Sequence, residues 1–182
     1  MSLVFVDRDG VINRFPGQGF YVTSLDAFEM LPGSAKAIAL LNREGFEVVV
    51  ISNQGCVSRG FLSEEGLAQI TDKMVTAVRK EGGALSGIFY CKHQTSDNCG
   101  CKKPKTGLFE QAMRTRSDNL ASVFFIGDSQ EDVEAGKAAG CRTLLVLSGR
   151  STEADLKNFK IKPDIVKKDL WEAATWITQK KS

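Results

Sequence analysis

Little in this chain would hold it to a membrane or to a polyanion. No apolar run approaches the ~20 residues that a bilayer-spanning helix needs, so no membrane partner is expected. Basic and acidic residues nearly balance, with a formal net charge of +2. A field that weak does not argue for nucleic-acid binding. The small basic excess is local. One group is Lys102, Lys103 and Lys105; the other is Lys157, Lys160, Lys162, Lys167, Lys168, Lys180 and Lys181, read as solvated surface. The start, Met-Ser-Leu-Val-Phe-Val-Asp, lacks a basic segment and a cleavage site, so no signal peptide is expected and the cytoplasm is the expected compartment. Five cysteines, an odd number, speak for reduced thiols or metal ligands rather than a disulfide framework. Repeats, low-complexity tracts and linkers are absent. Residues 1–182 therefore read as one domain, and 42% apolar residues suffice for a sizeable core.

What is present is a regular alternation. Apolar, β-branched runs at 3–6, 47–51, 87–90, 123–126, 143–147 and 164–166 read as strands. Helical patterns lie between them. Ser34 is placed to cap a helix carrying Ile38 and Leu41 and ending near Gly45. Ser63 precedes Leu67, Ile70, Met74 and Val78 at helical spacing, and Thr106 precedes Leu108, Phe109 and Ala112. An Ala-rich stretch from Ser129 stops at Gly140, and Leu170, Ala173, Trp176 and Ile177 mark a last helix. Continuous strands alternating with helices predict an α/β fold, a doubly wound, Rossmann-like parallel sheet. Ligands in such sheets bind beyond the carboxyl ends of the strands.

The chemistry gathers at those ends. Asp7-Arg8-Asp9-Gly10 follows the first strand. Two close carboxylates repel unless they share a cation or a proton. Such a pair asks for Mg²⁺ and suggests phosphate chemistry, or else it is an ordinary solvated turn. The second strand delivers Ser52, Asn53 and Gln54, and the fourth delivers Gly127-Asp128 followed by Glu131 and Asp132. Lys102-Lys103-Pro104 precedes the fourth strand. A separate cluster, Cys91, His93, Cys99 and Cys101, contains three thiols and the only histidine. Its members are either buried free cysteines beside a stray histidine or a closed tetrahedral Zn²⁺ site; the polar segment has no core of its own, which favours zinc. Cys56 and Cys141 read as core or loop residues.

The set Asp-x-Asp-Gly, Ser, Lys and Gly-Asp-x-x-x-Asp, in this order, resembles the haloacid dehalogenase superfamily of phosphotransferases. That resemblance implies Asp7 as nucleophile, Asp9 as general acid and base, Ser52 and Lys103 as phosphoryl-binding groups, and Asp7, Asp9 (through its carbonyl) and Asp128 as Mg²⁺ ligands. Asp132 is then a holder rather than a ligand, and with Glu131 it could equally be a helix-start acid. Asp-Arg-Asp-Gly-Val-Ile-Asn, Ser-Asn-Gln, Arg59-Gly60-Phe61, the zinc loop and Lys-Lys-Pro further resemble the D-glycero-D-manno-heptose 1,7-bisphosphate 7-phosphatases, and are similar to the histidinol-phosphate phosphatase domain. The implied partner is a small phosphorylated sugar, with Asn53, Arg59 and Lys102 as substrate-binding residues. Where that family has Arg-Lys-Pro, this chain has Lys102-Lys103-Pro104, a point charge in place of a bidentate fork.

Residues 10–51 and 53–102 leave no room for a cap domain, so a capless enzyme is expected, closed by loops 13–23, 55–61 and 91–101 and working as a monomer. A zinc-knuckle nucleic-acid binder using Lys102, Lys103 and Lys105 would need aromatics beside the knuckle and leaves Asp7, Asp9 and Asp128 unexplained. A phosphatase acting on nucleic-acid ends would fit an open site, but not the near-neutral charge.

Overall fold

A computed structural model describes residues 2–180. Lys181, counted above among the surface lysines, lies outside them. Six parallel strands form one sheet in the order β3-β2-β1-β4-β5-β6. They are β1 (Ser2–Val6), β2 (Phe46–Asn53), β3 (Gly87–Cys91), β4 (Phe124–Gly127), β5 (Arg142–Val146) and β6 (Ile165–Lys167). The helices are α1 (Ser34–Arg43), α2 (Glu64–Lys80), α3 (Gly107–Met113), α4 (Gln130–Ala139) and α5 (Leu170–Gln179).

Side chains alternate across the sheet, so each strand feeds two cores. Val4, Val6, Val48, Val50, Ile126 and Leu144 meet Ile38 and Leu41 of α1, Ile70 and Met74 of α2 and Ala173 and Ile177 of α5. Leu3, Phe5, Val49, Ile51 and Phe125 meet Leu108, Phe109 and Ala112 of α3 on the other face. Phe109 is wedged edge-on between Phe5 at 5.2 Å and Phe125 at 5.1 Å. Cys56 is buried in the first core and Cys141 in the second. Helices on both faces complete the doubly wound architecture.

The order reverses between β1 and β4, and that switch point sets the site. The amide of Asp7 continues the ladder by donating to Ile126 O at 2.9 Å. Ser129 caps α4 in a reciprocal capping box with Asp132, which starts that helix at the end of β4. Two local expectations change. β2 runs on past Ile51, because Ser52 pairs with Tyr90 and Asn53 with Cys91 of β3. Ser34 does not cap α1: its hydroxyl donates back to Leu31 O at 2.8 Å, and Gly33 with φ 78° opens the helix instead. Among the described residues no domain is inserted in the segments before α1 or between β2 and β3, only loops and α2.

Candidate active site

A cleft of about 530 Å³ opens at the carboxyl edge of the sheet. Asp7 and Asp9 line it from the end of β1, Ser52 and Asn53 from β2, and Asp128 and Asp132 from the end of β4 and the start of α4. All three loops expected to close the site reach it, through Phe15–Tyr21, through Gly55 and Arg59, and through Gln94, Thr95, Asn98 and Cys99.

At its floor a buried lysine binds two buried acids. Lys103 Nζ lies 2.6 Å from Asp132 and 2.9 Å from Asp7, and donates to Ile51 O at 3.2 Å. Burial disfavours the Lys103 cation, but the charges of Asp132 and then Asp7 outweigh it and hold the lysine above its ordinary value. Burial also raises Asp132, yet Lys103, the Ser129 hydroxyl and the Asp128 N–H outweigh it and hold that carboxyl low. Asp132 accepts from Ser129 Oγ at 2.6 Å and from two backbone amides, so it fixes both the start of α4 and Lys103. It is thus a holder as well as a helix-start acid.

Asp7 and Asp128 are under-compensated. Burial, opposed by Lys103 and reinforced by Asp132, pushes Asp7 up to about 6. Burial, then Asp132 and Asp7, raise Asp128 well above the ordinary carboxylate value. Oxygens of Asp7, Asp128 and Asp132 converge to within 4.8 Å of one another. Asp7 Oδ1 lies near Lys103 without the alignment of a hydrogen bond. Space round Asp128 is kept by glycine: a Cβ at Gly10 (φ +84°) or at Gly149 would fall 2.0 Å from Asp128 Oδ2. A hard divalent cation fits this oxygen donor set and the excess of buried negative charge.

Asp9 is held differently. Its carboxylate accepts from Arg8, Asn13 and Gln54, and it faces the cleft. Gln54 Nε2 also reaches Ser52 Oγ at 3.2 Å. Asn53 spends its amide on the backbone of Lys103, accepting from its N–H at 3.0 Å and donating to its C=O at 3.1 Å. It therefore locks the lysine segment to β2 while lining the cleft.

Farther out, Arg59 lies over the Tyr21 ring at 5.9 Å and Lys102 donates to Thr95 Oγ1 at 2.9 Å; both line the cleft. The sequence reading missed Arg150, whose N–H donates to Asp128 Oδ2 at 2.7 Å and whose side chain faces Glu131 at 3.7 Å. Its signal was its place after the fifth strand, at the same sheet edge.

Cys91, His93, Cys99 and Cys101 converge beside the cleft. Their separations run from 3.0 Å for Cys91–Cys101 through 3.3 Å for His93–Cys101 to 3.7 Å for Cys91–His93. A zinc tetrahedron with bonds of about 2.3 Å has edges near about 3.8 Å, so the cluster is compatible with a zinc site and slightly tighter than a filled one. Burial raises the Cys99 thiol, but hydrogen bonds from the Lys102 amide and from Cys91 and Cys101 bring it down to about 7, toward the thiolate a metal needs. Lys105 Nζ donates to Asn98 Oδ1 and Cys99 O, tying the loop to the lysine segment.

An apolar parallel sheet that gathers Asp7, Ser52 and Asp128 at its carboxyl edge, round the buried Lys103, defines a phosphatase of the haloacid dehalogenase type. The HAD-hydrolase-like family model matches residues 100–173. D-glycero-beta-D-manno-heptose-1,7-bisphosphate 7-phosphatase of Haemophilus ducreyi is 33% identical, over 96% of this chain and 97% of its own. The enzyme of the same name from Neisseria meningitidis is 36% identical over 82% of this chain and 79% of its own. The crystal structure of D,D-heptose 1,7-bisphosphate phosphatase from B. bronchiseptica complexed with magnesium and phosphate superposes with a TM-score of 0.92, at 36% identity and 99% coverage of both chains. This chain belongs to the D-glycero-beta-D-manno-heptose-1,7-bisphosphate 7-phosphatase family.

Proposed function

We propose that the protein removes the 7-phosphate of D-glycero-D-manno-heptose 1,7-bisphosphate through an aspartyl-phosphate. The observation that carries this is the packing of Asp7, Ser52, Lys103 and Asp128 round one floor of the cleft. Asp7 attacks phosphorus, and the sugar oxygen leaves with a proton from Asp9. Asp9 then takes a proton from water, which attacks the phosphorus of the aspartyl-phosphate and releases inorganic phosphate and Asp7. Ser52 and Lys103 bind phosphoryl oxygens, and Lys103 also fixes Asp7, from which it lies 2.9 Å. Mg²⁺ would be held by Asp7, Asp128 and the carbonyl of Asp9, and would neutralise the converging anions. The relative's complex with magnesium and phosphate supports that assignment.

The outer cleft suits a second phosphate, because Arg59, Lys102 and Arg150 line its wall. Zn²⁺ on Cys91, His93, Cys99 and Cys101 would be structural, since four donors leave no open position. One capless domain, acting as a monomer, suffices for the reaction, because a single chain builds the whole cleft. The cytoplasm suits a protein none of whose five cysteines forms a disulfide.

The test is a phosphate-release screen with Mg²⁺, setting heptose 1,7-bisphosphate against histidinol phosphate and monophosphorylated sugars. The expected result is the highest kcat/KM on the heptose bisphosphate, with inorganic phosphate coming from C7. A higher kcat/KM on histidinol phosphate would overturn the substrate while leaving the phosphatase chemistry intact.

A further inference from the structure

Among the described residues, the bulkiest fully buried side chain is a charged one, Arg8, at 0% exposure. It sits between the two acids of the site, and nothing in the hydrolysis scheme above uses it. A buried guanidinium costs the fold unless its donors are matched, and even a matched pair is often no better for stability than an apolar group of the same size. Arg8 is not fully matched: Nη1 has no hydrogen-bond partner. The rest of the group goes to Asp9 and Gln54. Nε donates to Asp9 Oδ1 at 3.0 Å and Nη2 donates to Oδ2 at 3.0 Å, a bidentate fork. Nη2 also donates to Gln54 Oε1 at 2.9 Å, and the guanidinium lies over the Tyr90 ring at 5.7 Å.

Two amides complete the clamp. Asn13 Nδ2 donates to Asp9 Oδ1 at 2.9 Å, and Gln54 Nε2 donates to Oδ2 at 2.9 Å. Each oxygen of Asp9 thus takes one bond from Arg8 and one from an amide; when Asp9 carries its proton, the amide on that oxygen gives way to it and the Arg8 bond remains. Turning that carboxylate about its χ angles breaks all four. The loop itself does not depend on the arginine side chain, because it is the backbone carbonyl of Arg8 that accepts from Val11, Ile12 and Asn13.

We infer that Arg8, seconded by Gln54, is the positioning residue that aims Asp9 at the leaving oxygen of the substrate. This rests on the reading of Asp9 as the general acid. The residue never meets substrate; it acts by fixing the plane of the carboxylate that does. A misaimed acid slows the departure of a poor leaving group and scarcely affects a good one, which leaves without a proton.

The experiment compares kcat/KM for the Mg²⁺-loaded full chain on two aryl phosphates, neither of which depends on the sugar identity. Phenyl phosphate releases a poor leaving group; 2,4-dinitrophenyl phosphate needs no proton. Arg8→Met is expected to lower kcat/KM for phenyl phosphate by about 10- to 100-fold and for the dinitrophenyl ester by less than about threefold. Arg8→Lys keeps the charge but loses the fork, and is expected to show the same skew at smaller size. It also carries the test if Arg8→Met does not fold, as judged by its melting transition. Equal losses on both esters, or no loss on either, overturn the positioning role. Asp9→Asn must show the skew too: if it does not, the acid–base assignment of Asp9 falls. A skew in Asp9→Asn but in neither Arg8 variant overturns only Arg8.

Discussion

Lys103 is held at 2% exposure between Asp132 and Asp7, so its charge is what makes two buried anions tolerable on either side of it. Replacing it with methionine leaves both carboxylates unpaired in the interior. Lys103→Met is expected to lower unfolding free energy by about 3–5 kcal/mol, read by urea titration, and to abolish phosphate release. Unchanged stability would mean that the acids are compensated elsewhere. At this scale the sequence showed the groups that follow apolar strands, Asp7, Ser52 and Asp128, and the lysine before one. It showed Arg8 and Gln54 only as members of motifs, without a role, and did not show Arg150, because each acquires its place only from a neighbour on another loop or strand end. Gln54 looks like an ordinary loop residue until Arg8 and Asp9 are folded against it.

The elements that shape the cleft are loops pinned from outside the sheet. The loop 91–101 starts on the last residue of β3, crosses the Cys/His cluster and leads into Lys102 and Lys103. Metal analysis is expected to find about one zinc per chain. Its removal by a strong chelator is expected to raise hydrogen exchange in residues 91–105 while β1 and β4 stay protected, and to reduce activity. A folded, active protein that contains no zinc would contradict the assignment. Helices and strands were legible from periodicity to within a residue or two. The ends shifted where parallel pairing continued, as in β2, where Ser52 and Asn53 stay in the ladder beside Tyr90 and Cys91. The strand order was not legible, since a parallel sheet read as a string of buried runs carries no mark of which run lies beside which.

Across the whole molecule the site sets a pH dependence of stability. In the metal-free protein Asp7 is raised from 3.8 to about 6, chiefly by burial, so the folded state binds its proton more tightly than the unfolded state. The stability this gives is complete below 3.8 and is lost as pH rises through about 6. Asp128, raised by burial and its acidic neighbours, acts in the same direction. Asp132 is held low, so its contribution has the opposite sign and is lost only at pH below the ordinary carboxylate value. The melting temperature of metal-free protein is therefore expected to fall between about pH 4 and pH 7, and added Mg²⁺ is expected to raise it more at about pH 7 than at about pH 5. A Mg²⁺ effect that does not grow with pH would show that the cation is not bound by these carboxylates.

Transfer of phosphate to Asp7 is tested by Mg²⁺-dependent phosphate release by Asp7→Asn beside the native chain. The variant, with its melting transition retained, is expected to fall below about a thousandth of native kcat. Turnover at the native rate in that variant would contradict it.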